Sequence, residues 1–306
     1  MISPIAHIVV GVADMAPVRN LWQAHFGLVE QASRIGPDPD LSRCWDIADD
    51  AIAEQLLLST PGARAGWLHF VRFNKPDAPV RQGADTTDLC PKNLDVNCTD
   101  MAARCEMLAA DGYVFRSAIN EYDIGGLSAR EVQFGGHDDT NIVLIELDDW
   151  PVKLSSRHYG AVSSLVVVVA DTAVEADFYC RLFGHEQLMH HRIAGKAIED
   201  TVGLPPGSAL DMRLTGDPEE FYGRVELIAY EGTSGTDRFS LARPPALGTL
   251  LCRFEVDDPH VLLQQAKLNG YAVNDRGVVD CLYGRCRLMT IKTPAGFSVE
   301  AFSREE

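Results

Sequence analysis

His7 is the one polar intruder in an apolar run, IAHIVVGV, and Asp14 follows it by seven residues at the head of a segment that closes on Phe26-Gly27. An imidazole on a strand can ligate a metal, carry a proton or hydrogen-bond inside a core, so its meaning depends on what the fold brings to it. The other histidines offer less. His190 and His191 are adjacent, and neighbours on a strand point to opposite faces, so both cannot serve one ion. His137, in GGHDDTN, reads as a turn residue, and His25, His158, His185 and His260 have no supporting partners in the sequence. The eight cysteines are scattered through apolar segments without a CxxC pair; Cys281 and Cys286 come closest, in CLYGRC, and buried reduced thiols are the expectation. A Gly-rich phosphate loop, a nucleophile elbow and a P-loop are all absent.

The elements that must position His7 are legible around it. Residues 5–12 read as a strand and 15–25 as an amphipathic helix with a Gly stop, followed by strands near 28–34, 54–59 and 66–73 and a Pro- and Asp-rich loop with a short helical turn at 36–51. Such a unit cannot bury its own apolar face. The rest of the chain supplies copies of it. A shift of about 157 residues, the distance from Asp14 to Asp171, lays VAD on VAD, Phe26-Gly27 on Phe183-Gly184 and Gly66 on Gly223. A shift of about 158 lays Asp100 on Asp258 and LAADGYVF on AKLNGYAV, and the register then loosens by about four residues toward the last strand. Modules 2–73 and 161–231 are thus alike, and so are 92–149, with strands expected at 113–118, 127–134 and 141–147, and 246–303. Polar, Pro-bearing linkers cover 74–91 and 232–245, and an inter-domain joint covers 150–160.

The chain has 306 residues, 46% apolar, with 27 Lys and Arg against 44 Asp and Glu for a net charge of −17. So acidic a chain is not expected to track a phosphate backbone or an anionic membrane surface. The start lacks a basic leader and no apolar run approaches the roughly 18–20 residues of a spanning helix, so a cytoplasmic protein is expected.

Four βαβββ modules, with a strand-initial donor, an Asp seven residues on, a Phe-Gly or Asn-Gly-Tyr helix stop and a Glu in the final strand, resemble the vicinal oxygen chelate superfamily, which includes glyoxalases, extradiol dioxygenases and the fosfomycin and bleomycin resistance proteins. The resemblance covers nearly the whole chain. It implies an α+β fold in which modules pair into two barrel-like, curved mixed sheets, with residues 1–150 forming the first domain and 151–306 the second. It also implies metal ligands on the first and last strands of paired modules. With module one paired to two, and three to four, the first half offers His7, His69, Asn93 and Glu146, and the second Ser164, Glu226, Leu251 and Glu300. His7, His69 and Glu146 would then hold one divalent ion per chain, Zn, Fe, Mn, Co or Ni. Asn93 departs from the stronger donor usual at that place. In the second half the two carboxylates either raise one pKa or pair with an arginine such as Arg253. Strand alternation puts Trp67, Val71 and Phe73 on the face of His69, as an aromatic pocket wall or as ordinary core.

What this implies for function is a glyoxalase-like protein acting on a small oxygenated, aromatic-compatible substrate by metal-assisted lyase or isomerase chemistry. Glu146, Glu226 and Glu300 are then the candidate proton-moving carboxylates, and Trp67, Phe73 and Asn93 the substrate contacts. Two alternatives stay open: a metal-free, resistance-type binding protein, and an oxygen-dependent ring-cleaving enzyme. The expected partner is a small molecule, with a homodimer as the assembly and neither nucleic acid nor membrane.

Overall fold

The computed structural model describes residues 4–124, 127–148 and 154–305. Module one comprises β1 (Ile5–Val12), α1 (Met15–Val18) running on as a π-helical segment (Arg19–His25), β2 (Val29–Ile35), α2 (Pro39–Cys44), β3 (Ile52–Ser59) and β4 (Trp67–Phe73). Module two has β5 (Pro91–Cys98), α3 (Met101–Ala110), β6 (Asn120–Ile124), β7 (Leu127–Gly135) and β8 (Asn141–Leu147). Module three has β9 (Tyr159–Val168), α4 (Thr172–Phe183), β10 (Glu186–Ala194), α5 (Lys196–Val202), β11 (Ala209–Gly216) and β12 (Arg224–Glu231). Module four has β13 (Gly248–Glu255), α6 (Pro259–Leu268), β14 (Val273–Cys281), β15 (Gly284–Lys292) and β16 (Ser298–Arg304). The strand expected at 113–118 is instead β6; only Phe115 of that stretch bridges, to Phe134. The joint expected at 150–160 lies partly outside the described residues.

Each helix start has a local cause. Asp14, Asp171 and Asp258 stand in extended backbone and accept hydrogen bonds from the first free amides of α1, α4 and α6. Asp100, before α3, is left-handed at φ 56° and its side chain makes no such bond. Glu146 makes it instead, as described below.

Two curled eight-stranded mixed sheets result, and their order corrects the expected pairing. Sheet one runs β2-β3-β4-β1-β13-β16-β15-β14, joining module one to module four; sheet two runs β6-β7-β8-β5-β9-β12-β11-β10, joining module two to module three. The repeat could not decide this, because both pairings join one odd to one even module. The linkers carry the chain across and back. They lie side by side, with parallel bridges Pro79 to Leu247 and Leu89 to Asp237, and Arg238 Nε donates to Asp88 Oδ2 at 2.6 Å.

The repeat-related glycines mark where the sheets touch. Ile5 N donates to Gly223 O at 2.7 Å and Gly66 N to Ile5 O at 2.8 Å. Both glycines have positive φ, and a Cβ on Gly66 would sit 2.4 Å from Val162 O and one on Gly223 2.5 Å from Ile5 O, so no larger residue fits either place. One large core, holding Ile8, Phe70, Leu94, Phe134, Leu165 and Phe254, fills the space between the helices and the outer faces of both sheets. By the two-residue alternation of strands, the odd-numbered positions of β1, β4, β5 and β13 then face the inside of each curl. Among the described residues no helix is long and apolar enough to cross a membrane.

Candidate functional site

On the inner face of sheet one, the register sets His7 beside Arg253 across the β1–β13 seam and Arg253 beside Glu300 on β16. His69, on β4, completes the group. All four are buried, three of them to 0% exposure. Arg253 lies at the centre: its Nε donates to Glu300 Oε2 at 2.7 Å, and a terminal guanidinium nitrogen lies 2.7 Å from His69 Nδ1. The faces of Trp45 and Tyr283 flank the guanidinium at 5.6 and 5.4 Å. Trp45 Nε1 donates to the other Glu300 oxygen at 2.8 Å. A guanidinium only donates, so His69 Nδ1 is the acceptor, and its Nε2–H donates to Gln55 Oε1 at 3.0 Å. That fixes a neutral imidazole, in agreement with burial and then Arg253 holding its pKa well below the usual range. His7, shifted down by the same causes, stacks on Phe302 at 5.3 Å.

Inside this curl aromatic and aliphatic side chains pack around the polar group. Trp67 packs its ring 5.8 Å from His7, and Phe73, 6.3 Å from Trp45, belongs to a core with Val71, Leu251 and Leu288. A divalent ion does not fit here, because both His69 nitrogens and both Glu300 oxygens are engaged and the centre already holds a positive charge. Among the described residues no three His, Cys, Asp or Glu side chains gather as an ion site. The expected trio of His7, His69 and Glu146 is therefore corrected. The two histidines do come together, but Glu146 is in sheet two, and on its helix side. There it accepts from Asp100 N at 2.7 Å and Met101 N at 3.3 Å and pairs with Arg130 at 3.2 Å. Glu300 takes its place beside the histidines, and the ion pair with Arg253 is the one the sequence suggested.

The inner face of sheet two is the opposite case. It encloses a cavity of about 340 Å³. Asp95 occupies on β5 the place of Arg253 on β13, Ser164 that of His7, and Glu226 that of His69, by the same shifts of 158 and 157. Val143, beside Asp95, stands where Glu300 stands beside Arg253, so Asp95 gains no counter-ion from its neighbour. Ser164 Oγ donates to Asp95 Oδ2 at 2.8 Å. Asp95 and Glu226 line the cavity together and each feels the other, and a hydrogen bond between two carboxyls requires that one of them keep its proton. Burial, then the charge of the neighbouring carboxylates, raises Asp95 well above the carboxylate range and Glu226 to about 7. Glu131, also raised by burial, accepts from Gln133 Nε2 at 3.1 Å. Asn93 lines the same cavity and accepts from Asn141 Nδ2 at 2.7 Å. Lys92 and Tyr230 also line it, and Met189, Ile193, Met212, Leu214 and Ile228 give it an apolar lining.

Of the expected site residues, then, Asn93 and Glu226 meet in the cavity of sheet two, His7, His69, Trp67, Phe73 and Glu300 lie inside sheet one, and Glu146 is in neither. Asp95, Glu131, Lys92 and Tyr230 were not singled out by the sequence. One signal was available. Asn93, Asp95 and Asn97 alternate with Leu94, Val96 and Cys98, which marks a polar face on a strand buried on both sides.

No protein-family model and no curated protein matches the chain. Solved structures do. Glyoxalase I from Zea mays matches at 14% identity and a TM-score of 0.68 over 98% of this chain and 92% of that one. A Bacillus subtilis protein provisionally described as a dioxygenase matches at 12% identity and a TM-score of 0.65, over 100% and 86%. At these identities the likeness is one of fold alone, and the fold is the one the sequence resemblance implied.

Proposed function

We propose that this four-module chain, built on the vicinal oxygen chelate fold, binds a small, largely apolar molecule in the cavity of sheet two and transfers a proton on it, as an isomerase or lyase does. The observation that carries the reading is the pair of carboxyls, Asp95 and Glu226, that line that cavity together and keep their protons above the ordinary carboxylate range. A base works best when its pKa is near the working pH. Glu226, raised to about 7, is poised to take a proton from carbon beside an oxygen function and to return it elsewhere, while Asp95, which keeps its own, steadies it by a hydrogen bond. Asn93, Asn97 and Ser164 supply polar contacts that orient the ligand, and the Met and Ile wall excludes water from the reacting end. No step runs through an ion at His7 and His69, because Arg253 and Gln55 occupy both nitrogens of His69 and the guanidinium charge lies beside His7; ring cleavage on iron held there is unsupported for the same reason. Glu300 and Glu146 have no part in the transfer.

A panel of small aryl and alkyl ketones in deuterated water tests this, with deuterium entry beside the carbonyl followed by NMR. The wild-type protein should accelerate exchange on at least one member. Glu226→Gln should lose roughly 10²-fold or more of that acceleration, and Glu146→Gln, on the helix side, should keep it. Binding without turnover is the second reading, favoured by the apolar wall. It gains if ketones bind in the cavity while wild type and Glu226→Gln exchange their protons equally slowly.

A further inference from the structure

Strand β5 is not regular at its start. In its pairing with β9, Pro91 faces Val167 and Asn93 faces Val166, so Lys92 is an extra residue at a bulge. Regular alternation would turn Lys92 away from the face of Asn93 and Asp95. The bulge re-aims it, and Lys92 lines the same cavity as they do. Its Nζ is 2.8 Å from Thr86 Oγ1 and 2.6 Å from Tyr230 OH, and sits 4.9 Å from the centre of the Tyr230 ring. The lysine is 6% exposed. We infer that Lys92 is a nucleophile toward carbonyl compounds, forming a protonated imine with a small apolar aldehyde or ketone seated in the sheet-two cavity, with Tyr230 relaying the proton. The inference rests on the reading of that cavity as the binding site, and names its ligand class.

The step balances without a co-reactant. The Nζ lone pair adds to the carbonyl carbon, and the C=O π pair moves to oxygen. That oxygen receives the proton leaving nitrogen, passed through the Tyr230 hydroxyl, to give a carbinolamine. The carbinolamine hydroxyl takes one further proton, supplied by solvent through the Tyr230 hydroxyl, and leaves as water, so that the nitrogen lone pair forms C=N–H⁺ on Lys92; water reverses the sequence. The environment favours the attack. Burial and then Arg81 push the Lys92 ammonium down to about 7, so much of it is the free amine at neutral pH, while burial pushes the Tyr230 phenol up and keeps its proton in place. A protonated imine also acidifies the neighbouring C–H. Glu131 is the carboxylate whose charge is felt both by Lys92 and by the Asp95–Glu226 pair, which links the imine end of the cavity to the proton-holding end.

The experiment uses benzaldehyde and butanal as probes, with sodium borohydride to reduce any imine to a stable amine, read by intact mass and peptide mapping. At pH 7.5 wild type should gain one alkyl group per chain, on the peptide containing Lys92, at a rate that rises with pH through about 7 and then levels. Lys92→Met and Lys92→Arg should lose that labelling, and Tyr230→Phe should keep the site but slow it roughly 10- to 100-fold. Labelling equal in wild type and Lys92→Met, or seen only at the high pH that surface lysines need, overturns the inference. Displacement of Nile red separates the two readings. If the aldehydes displace the dye from wild type and Lys92→Met alike but nothing is trapped, the cavity binds and Lys92 does not react. If neither dye nor aldehyde binds a folded protein, both readings fall.

Discussion

Replacing Arg253 by Met tests whether the guanidinium, and not an ion, completes the inner face of sheet one. The substitution keeps the length of the side chain and removes the charge. It leaves Glu300, 0% exposed, with the Trp45 indole as its remaining described donor, and it leaves His69 Nδ1 without the group it accepts from. Breaking a buried pair from one side costs about 3–5 kcal/mol, because the surviving charge stays in a place that cannot solvate it. With an unfolding entropy of about 2.1 cal/mol/K per residue, a cooperative 306-residue chain would lose about 5–8 °C in Tm. Removing both charges should be milder. Arg253→Met with Glu300→Met replaces the pair by apolar side chains of similar volume, and such replacements are often neutral or stabilising. Differential scanning calorimetry of the single and double variants is the assay. The reasoning is refuted if the double variant is as unstable as the sum of its parts, or if the single variant melts with wild type.

The same site yields a prediction about metals. Arg253→Ala should let His7, His69 and Glu300 take up one cobalt(II) per chain, visible as ligand-field absorption that Glu300→Gln in the same background abolishes; uptake at these residues by wild type would show the guanidinium is no barrier. Glu175, 1% exposed and raised to about 7 by burial, favours folding only when protonated. Its contribution is present below the unfolded pKa near 4.3 and fades as pH rises through about 7, so Glu175→Gln should gain stability over wild type between pH 5 and 8, by up to about 3 kcal/mol. Urea midpoints across pH check this, and a pH-independent difference would contradict it. Glu146→Ala removes the acceptor at the start of α3 and should cost about 1 kcal/mol, with Nile red binding in the cavity unchanged.

Much of this was written in the sequence, and the failures have physical reasons. The repeat exposed the modules, the helix-starting Asp14, Asp171 and Asp258, and the glycines Gly66 and Gly223 on which the sheets touch. It placed His7 and His69 on one face and anticipated the bridge between Arg253 and a carboxylate. It could not say which even module joins which odd one, since a strand seam such as β1 with β13 depends on long-range packing that a periodic pattern does not encode. Glu146 was misplaced because the last strand was matched out of register: Val143, not Glu146, sits beside Asp95 as Glu300 sits beside Arg253, and an error of 146 − 143 = 3, an odd number, turns a side chain to the other face of a sheet. There it relieves α3 of free amides that Asp100, in left-handed backbone, leaves unbonded. Lys92 was illegible because a bulge has no signature in residue type. The Asn93, Asp95 and Asn97 face was legible, but its meaning depended on Glu226 arriving from module three.

The central claim is that the working face of the molecule is the inside of sheet two, where Asp95 and Glu226 hold one proton between them. Carboxyl-carbon NMR of side-chain-labelled protein, assigned with Asp95→Asn and Glu226→Gln, reads it directly. The account predicts that Asp95 holds its proton well above the ordinary carboxylate range and that Glu226 titrates at about 7. Both carboxyls fully ionised by pH 5, as ordinary solvent-facing groups would be, would contradict it.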